Sequence, residues 1–224
     1  MKLININYGI DIEFSENETP ELVIEHPSIF ATVVSSLLNQ CNGADGDFVL
    51  SDNEQIIKLN KSADVLVDYF TLSTNNKKII TKLYSGLEEV AEQFIEENAE
   101  INSRIVSLLD SITTSNGCAD IIYNLDFNWS DIFKIYNISF VEDYTGFLDK
   151  LSSYIRIVSK YTDIRTLFLI NIRAYMTEDD LISLYEIARY CKVSLILVEP
   201  RESIERNGEK RYIIDKDQCF IDAN

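Results

Sequence analysis

The chain has 224 residues, 46% of them hydrophobic, and a formal net charge of −17 at pH 7. This length fits one large domain or a main domain with a subdomain, and the hydrophobic fraction supports a packed core and excludes global disorder. No run of about 18 apolar residues occurs, which argues against a membrane span. The first residues also lack the continuous apolar stretch of a signal peptide, so a cytoplasmic location is expected.

The N-terminal segment is predicted to form β-structure with one helix. Alternating polar and apolar residues predict strands over 2–8 and 10–14, and a short strand is predicted at 21–25. The apolar run after Pro27 has helical spacing and ends near Asn42. Further short strands are predicted at 48–50, 56–59 and 65–69.

The middle of the chain has a helical pattern. From Ser73 to about Thr113, apolar residues recur every three or four positions, which predicts one long amphipathic helix. Such a helix is roughly 50 Å long at about 1.5 Å per residue, so we expect a second helix to pack along it. The apolar stripe of 144–160 is the predicted partner, and 120–138 is predicted to contain a shorter helix.

The last third of the chain has the pattern of a strand–helix–strand unit. Residues 166–172 and 193–198 are mostly apolar, as is typical of strands that are buried on both faces. Between them, Thr177 is predicted to cap a helix that ends near Cys191. Such a crossover implies parallel neighbouring strands, so we expect an α/β fold in which the N-terminal and C-terminal thirds share one sheet.

Motifs for nucleotide binding, zinc binding and nucleophilic catalysis are missing. The seven glycines form neither a G-x-x-x-x-G-K-[ST] nor a G-x-G-x-x-G motif, so no nucleotide cofactor is expected. The four cysteines are far apart, and His26 is the only histidine, which argues against a zinc site. No G-x-S-x-G elbow accompanies that histidine, which is interpreted as a turn residue before a helix.

Basic residues are distributed very unevenly. No Lys or Arg lies between Ile4 and Ile57, and Arg104 is the only one from Leu83 to Phe133. This segregation would place a positive patch on an otherwise acidic protein surface. Alternatively, the lysines only keep the exposed face of a helix soluble. The lysines that define the candidate patch are Lys58, Lys61, Lys77, Lys78, Lys82 and Lys134.

Two sets of oxygen-bearing side chains are candidates for a cation site. Asp126, Asn128 and Asp131 form the first set, and Glu142 and Asp143 form the second. Oxygen ligands at short spacing suit a hard cation such as Ca²⁺, although the pattern is not an EF-hand loop and a solvated turn is an alternative. Paired carboxylates also hold Mg²⁺ in nucleases, but no arrangement specific to that chemistry occurs.

Charged residues also follow the buried strands of the last third. Glu199, Arg201 and Glu202 come directly after the second of these strands, and Asp215 and Asp217 precede a predicted final strand at 219–221. We interpret these charges as a salt-bridged network that fixes the edge of the sheet.

The same segment carries a family resemblance. The strand–helix–strand sequence LFLINIRAYMTEDDLISLYEIARYCKVSLILVEPRE, followed by IIDKDQCFI, resembles the type II-A CRISPR-associated ring proteins, the Csn-two family. The resemblance is clearest over 150–224 and rests on an apolar strand, an EPRE-like turn, an acidic pair and a last strand.

The resemblance implies an α/β head similar to a degenerate phosphate-loop ATPase without nucleotide binding, formed by 1–72 and 161–224. An α-helical leg, 73–160, would be inserted in it. It also implies that four copies form a ring with a positive inner surface, which threads the ends of double-stranded DNA. Bound calcium would support the ring, and Asp126, Asp131 and Glu142 are the carboxylates assigned to it. The ring would act with other adaptation proteins and the effector nuclease during spacer acquisition, an antiviral defence, without catalysing a reaction.

Two other functions remain open at this point. An acidic adaptor or DNA mimic would bind basic proteins and ignore DNA. A divalent-metal-dependent nuclease would cut DNA in the presence of Mg²⁺ or Mn²⁺.

Overall fold

A computed structural model describes residues 1–15, 17–115, 121–203 and 209–223. The chain divides into two compact units, and each is described separately. Unit 1 consists of Met1–Thr74 and Glu142–Asn224, and unit 2 of Asn75–Val141. The first division lies close to the predicted domain boundary after residue 72. The second lies before the helix of 144–160, which belongs to unit 1, whereas the predicted leg included that helix.

The secondary-structure elements of the described residues are as follows. The N-terminal part of unit 1 contains β1 (Lys2–Asn5), β2 (Ile10–Glu13), β3 (Thr19–Ile24), α1 (Pro27–Cys41), β4 (Phe48–Asp52), β5 (Gln55–Ile57), α2 (Leu59–Ser62) and β6 (Ala63–Leu66). Unit 2 contains α3 (Lys77–Ala91), α4 (Ile95–Ser115) and α5 (Trp129–Ile135). The C-terminal part of unit 1 contains α6 (Phe147–Tyr161), β7 (Thr166–Ile170), α7 (Glu178–Tyr190), β8 (Ser194–Glu199), β9 (Glu209–Ile214) and β10 (Phe220–Asp222).

The strands of unit 1 form two sheets. One consists of N-terminal strands alone, which the sequence did not predict as a separate sheet, and the other joins strands of the N-terminal and C-terminal thirds, as predicted. The first is antiparallel with the order β2-β1-β4-β5, and the second has the order β10-β9-β3-β8-β7-β6. The burial of the strands differs between the two sheets. Side chains of β2 alternate between buried and exposed, which suits a sheet with one covered face, whereas every residue of β3 and β7 is buried.

The six-stranded sheet confirms the predicted α/β class with a sheet that contains parallel strands. Strand β3 lies parallel to both β8 and β9, and β7 lies parallel to β6 and β8. Only β10, among the strands of this sheet, runs antiparallel to its neighbour. Strand β3 therefore occupies an interior position, and its Glu21 lies opposite Leu197 on one side and Arg211 on the other.

One large apolar core holds the two sheets and α1 together. The helix contributes Val33 and Leu37, which are almost completely buried. The sheets contribute alternate apolar residues, including Leu3, Ile12, Leu50, Leu22, Ile24, Phe168, Ile170, Ile196 and Val198. Helices α6 and α7 pack against each other, and α7 contacts β8.

Unit 2 contains two consecutive helices where the sequence predicted one long helix. Helix α3 ends at Ala91 and α4 begins at Ile95, so the prediction of an uninterrupted helix is wrong. The Ala91 carbonyl at the end of α3 accepts hydrogen bonds from the Phe94 backbone N–H at 3.1 Å and from the Asn98 side chain at 2.8 Å. Among the described residues, no helix is long and apolar enough to cross a membrane.

Candidate nucleic-acid interface

Two of the candidate lysines lie at the short helix α2 of unit 1. Lys58 directly precedes the helix, and Lys61 lies in its only turn. Leu59 is buried and anchors the helix, whereas both lysines are exposed. The Lys58 carbonyl accepts hydrogen bonds from the Lys61 and Ser62 amides, so local backbone bonds fix the spacing of the two lysines.

Two further candidate lysines form the first turn of α3 in unit 2. Asn76 caps the helix by accepting a hydrogen bond from the Ile79 amide at 3.0 Å, so Lys77 and Lys78 directly follow the cap. Both are exposed, and neither forms an ion pair with a carboxylate of the described residues. Cations are unfavourable at this end of a helix by roughly 0.3–1 kcal/mol, because the helix dipole is positive there. The same positive end attracts phosphate groups.

Lys82 and Lys134 lie on the two helices that pack together in unit 2. Lys82 is one turn after Lys78 on α3, so two like charges are neighbours on the helix surface. Lys134 lies on α5 and donates to Asp131 Oδ1 at 2.8 Å. That hydrogen bond and the charge of Asp131 raise the pKa of Lys134. Lys134 is therefore paired with a carboxylate of its own helix.

The Tyr84 ring holds α3 and α5 in place. It contacts the Phe133 ring at 5.6 Å between centroids, and its hydroxyl donates to the Ile138 carbonyl at 3.0 Å. Asn75 and Phe140 lie where the chain enters and leaves unit 2, and they form two hydrogen bonds with each other. The Phe140 backbone N–H donates to Asn75 Oδ1 at 2.8 Å, and the Asn75 side-chain amide donates to the Phe140 carbonyl at 2.9 Å. The lysines on α3 therefore stand on a helix that is fixed by packing within its unit.

The carboxylates assigned to calcium are each bound by donors of the protein. Asp131 pairs with Lys134, and Asp126 accepts a hydrogen bond from the Asn102 amide at 3.1 Å, both within unit 2. Glu142 belongs to unit 1. No group of three or more His, Cys, Asp or Glu side chains suited to a metal ion occurs in the described part of the chain. The calcium ligands stay a prediction.

Glu142 has a clear structural role in unit 1. Its Oε1 accepts hydrogen bonds from the Ser73 hydroxyl at 2.8 Å, the Thr74 hydroxyl at 2.8 Å and the Thr74 backbone N–H at 2.6 Å. Thr74 is the last residue of the first segment of unit 1, and Glu142 is the first residue of the second. The carboxylate therefore joins the two places where the chain crosses between the units.

A buried network of charged residues lies on β3, β9 and the turn after β7. Glu21 is completely buried, and its two oxygens accept hydrogen bonds from Arg173 Nε at 2.6 Å and Arg211 Nε at 2.8 Å. Arg173 also donates to Glu209 Oε1 at 2.7 Å, and the Tyr185 hydroxyl donates to the same oxygen at 2.9 Å. Although burial opposes it, the charges of Glu21 and Glu209 raise the pKa of Arg173.

Glu199 completes this network at the end of β8. Its Oε1 accepts a hydrogen bond from the Arg173 backbone N–H at 3.2 Å. Burial raises the pKa of Glu199 to about 7; the backbone bond opposes this increase, and the charge of Glu21 adds to it. Of the charged residues that the sequence analysis grouped at the sheet edge, Glu199 contacts this network through the Arg173 backbone N–H, whereas Arg201 and Glu202 are exposed. The predicted salt-bridged network is therefore wrong in its members, because the observed ion pairs join Glu21 and Glu209 to Arg173 and Arg211.

Comparison with known proteins gives the family. A family model described as CRISPR-associated protein (Cas_Csn2) matches residues 40–218, which is most of the chain. The chain belongs to the Csn2 family of CRISPR-associated proteins. It is also similar to the CRISPR-associated protein Csn2 of Streptococcus agalactiae, with 24% identity over 230 residues that cover 99% of both proteins. The family expected from the C-terminal third is confirmed, and Csn2 membership connects the chain with CRISPR.

Sequence reasoning missed most of the charged network in this Csn2-family chain. Glu21, Arg173, Glu209 and Arg211 were not singled out, because they are far apart in sequence. A signal was nevertheless present, since Glu21 interrupts the strand TPELVI, in which every residue is buried. A charge at such a position requires a buried partner of opposite charge.

Proposed function

We propose that this Csn2-family chain binds the ends of double-stranded DNA during CRISPR spacer acquisition, as a homotetrameric ring that catalyses no reaction. Family membership supports the connection with CRISPR. The observation that carries DNA binding is the pair Lys77 and Lys78, two exposed cations without carboxylate partners among the described residues, at the positive end of α3.

The physical basis is a local reversal of charge. A chain with a net charge of −17 repels a polyanion at long range, so binding requires basic residues that are concentrated on one surface. Ammonium groups and backbone amides at a helix start bind phosphate oxygens, whatever the base sequence. We therefore propose binding that is sensitive to salt and has little sequence preference.

We also propose that the two units correspond to the head and the leg of the family. Unit 1 would be the head, similar to a degenerate phosphate-loop ATPase, and unit 2 would be most of the leg. The connection from β3 to α1 supports this, because it consists of Glu25 and His26 and contains no glycine. A phosphate loop needs several glycines to bring backbone amides to the phosphates. Calcium and the adaptation and effector partners are proposed from the family resemblance alone.

The test is a gel shift with linear and closed-circular duplexes of equal length, with calcium and with a chelator. We expect binding to the linear form only, because a ring reaches DNA through a free end. The variant K77E/K78E should lose at least tenfold in affinity. The control K160E/K216E changes the net charge equally at exposed lysines outside the candidate set and should bind as the unmodified protein does.

Each other outcome selects a different function. No shift with either DNA form would reject the proposal in favour of an acidic adaptor that binds basic proteins. Shortened DNA in Mg²⁺ or Mn²⁺ would indicate a nuclease. Equal binding to linear and circular DNA would reject threading over ends, and equal loss in both charge variants would reject the role of Lys77 and Lys78.

A further inference from the structure

A second concentration of positive charge lies in unit 1, at the amino-terminal edge of the six-stranded sheet. It surrounds a cavity of about 410 Å³. Arg165 directly precedes β7, Arg189 lies in the last turn of α7, and Lys192 lies in the connection from α7 to β8. These three cations line the cavity together with Ser194 at the start of β8 and Asp52 at the end of β4.

The three cations are not neutralised by the part of the chain that the structure describes. Arg165, Arg189 and Lys192 are exposed, and none of them forms an ion pair with a carboxylate in the described parts of the chain. Of the described residues that line the cavity, Asp52 alone is acidic, and its Oδ1 lies 3.8 Å from the Met1 amino group. The cavity lining therefore carries a net positive charge in a chain whose net charge is −17.

Backbone contacts hold part of this cavity in a fixed geometry. Arg165 Nη1 donates to the carbonyls of Thr162 at 2.9 Å and Ile164 at 2.7 Å, so its guanidinium group is positioned without a carboxylate. Lys192 has a φ of 56°, the left-handed conformation that glycine usually adopts after a helix. A lysine in this conformation has a steric cost. Residues in such conformations cluster at binding and catalytic sites.

We propose that this cavity binds a phosphate group, at a site separate from the lysines of α2, α3 and α5. Three cations complement the two or more negative charges of a phosphate better than the single charge of a carboxylate. The planar guanidinium groups of Arg165 and Arg189 can each donate two parallel hydrogen bonds to phosphate oxygens. The volume lies within the range of small-molecule sites, roughly 300–1,000 Å³, and leaves room for a pyrophosphate.

The test is calorimetric titration of the full-length chain with pyrophosphate, in low-salt buffer with chelator. We expect saturable binding that is at least tenfold tighter than that of sulfate. The variant R189E/K192E should reduce the affinity for pyrophosphate at least tenfold. The control K160E/K216E has the same net charge and should bind as the unmodified protein does, because these lysines lie outside the cavity. Far-ultraviolet circular dichroism and the thermal midpoint of each variant establish that it is folded.

Two results would overturn the proposal. One is the absence of saturable pyrophosphate binding to the unmodified chain, and the other is equal affinity in R189E/K192E and the unmodified protein. A competition arm identifies the source of the phosphate. Displacement of pyrophosphate by a short duplex would indicate phosphates of DNA, and its retention would indicate a small phosphorylated molecule; either result supports the site. Because the first titration contains no DNA, its outcome is independent of the proposed DNA-end binding.

Discussion

The Thr74 backbone N–H donates a hydrogen bond of 2.6 Å to Glu142 Oε1, across 68 positions of the sequence. These two residues are the points at which the chain leaves unit 1 and returns to it. The contact gives Glu142 a structural function that does not require a metal ion. It also makes the two roles of this carboxylate, structural bridge and calcium ligand, separable by experiment.

Removal of the Glu142 carboxylate is expected to destabilise the protein. Thr74 is 1% exposed, so Glu142→Ala leaves its buried N–H and hydroxyl without this acceptor. The loss in the free energy of unfolding should be roughly 1–3 kcal/mol, measured by urea denaturation. Glu142→Gln keeps a carbonyl oxygen as acceptor and should lose less. Equal stability of Glu142→Ala and the unmodified chain would contradict the bridge, and stabilisation by calcium that Glu142→Gln abolishes would indicate a ligand.

Breaking the buried charge network should have a larger effect. Arg173→Met leaves Glu21 and Glu209, whose side chains are 0% and 2% exposed, with Arg211 as the remaining cation. We expect a loss of roughly 3–5 kcal/mol in the free energy of unfolding, because buried carboxylates become uncompensated.

The control for this variant is Arg104→Met, which breaks an ion pair with Glu100 on the surface of α4. Both partners of that pair are mostly exposed, so the loss should be below about 1 kcal/mol. Both variants are compared by urea denaturation at one pH. Similar losses for the buried and the exposed pair would contradict a structural role of the network.

Stability should fall as the pH rises through the range in which Glu199 titrates. Its pKa of about 7 in the folded protein exceeds the ordinary value of 4.5, so the folded state binds more protons between these two values. The free energy of unfolding contributed by this group therefore decreases from about pH 4.5 to pH 7.

Glu199→Gln removes this titration and keeps an oxygen that accepts the Arg173 N–H. At pH 8, it should be more stable than the unmodified chain by roughly 3 kcal/mol, since the pKa difference of about 2.5 units corresponds to about 1.4 kcal/mol per unit. The advantage should shrink toward pH 5. Urea denaturation at several pH values measures it, and a difference that does not change with pH would contradict the assignment to Glu199.

Release of Lys134 from its partner should strengthen DNA binding. Asp131→Asn removes the carboxylate that holds the ammonium group at 2.8 Å. If this lysine then contacts a phosphate, the slope of log affinity against log salt should steepen by about 0.9. Asp126→Asn makes the same charge change without releasing a lysine and is the control. Fluorescence anisotropy with a labelled duplex, in chelator, measures both variants. Equal slopes would show that Lys134 does not contact DNA.

The sequence by itself determined the features that depend on local periodicity. The apolar strands and capped helix of the last third confirm the predicted strand–helix–strand unit, and these residues also carried the family resemblance. Such features follow from burial patterns that repeat every two residues in a strand or 3.6 in a helix.

Only the tertiary structure decided how these elements are paired and interrupted. The division into two sheets depends on which strands form hydrogen bonds, and the break between α3 and α4 interrupts an apolar pattern that is continuous in the sequence. Arg173 meets Glu21 across 152 positions of the sequence. No periodic pattern encodes such a contact, because its energy depends on a buried partner that arrives only when the sheet is assembled.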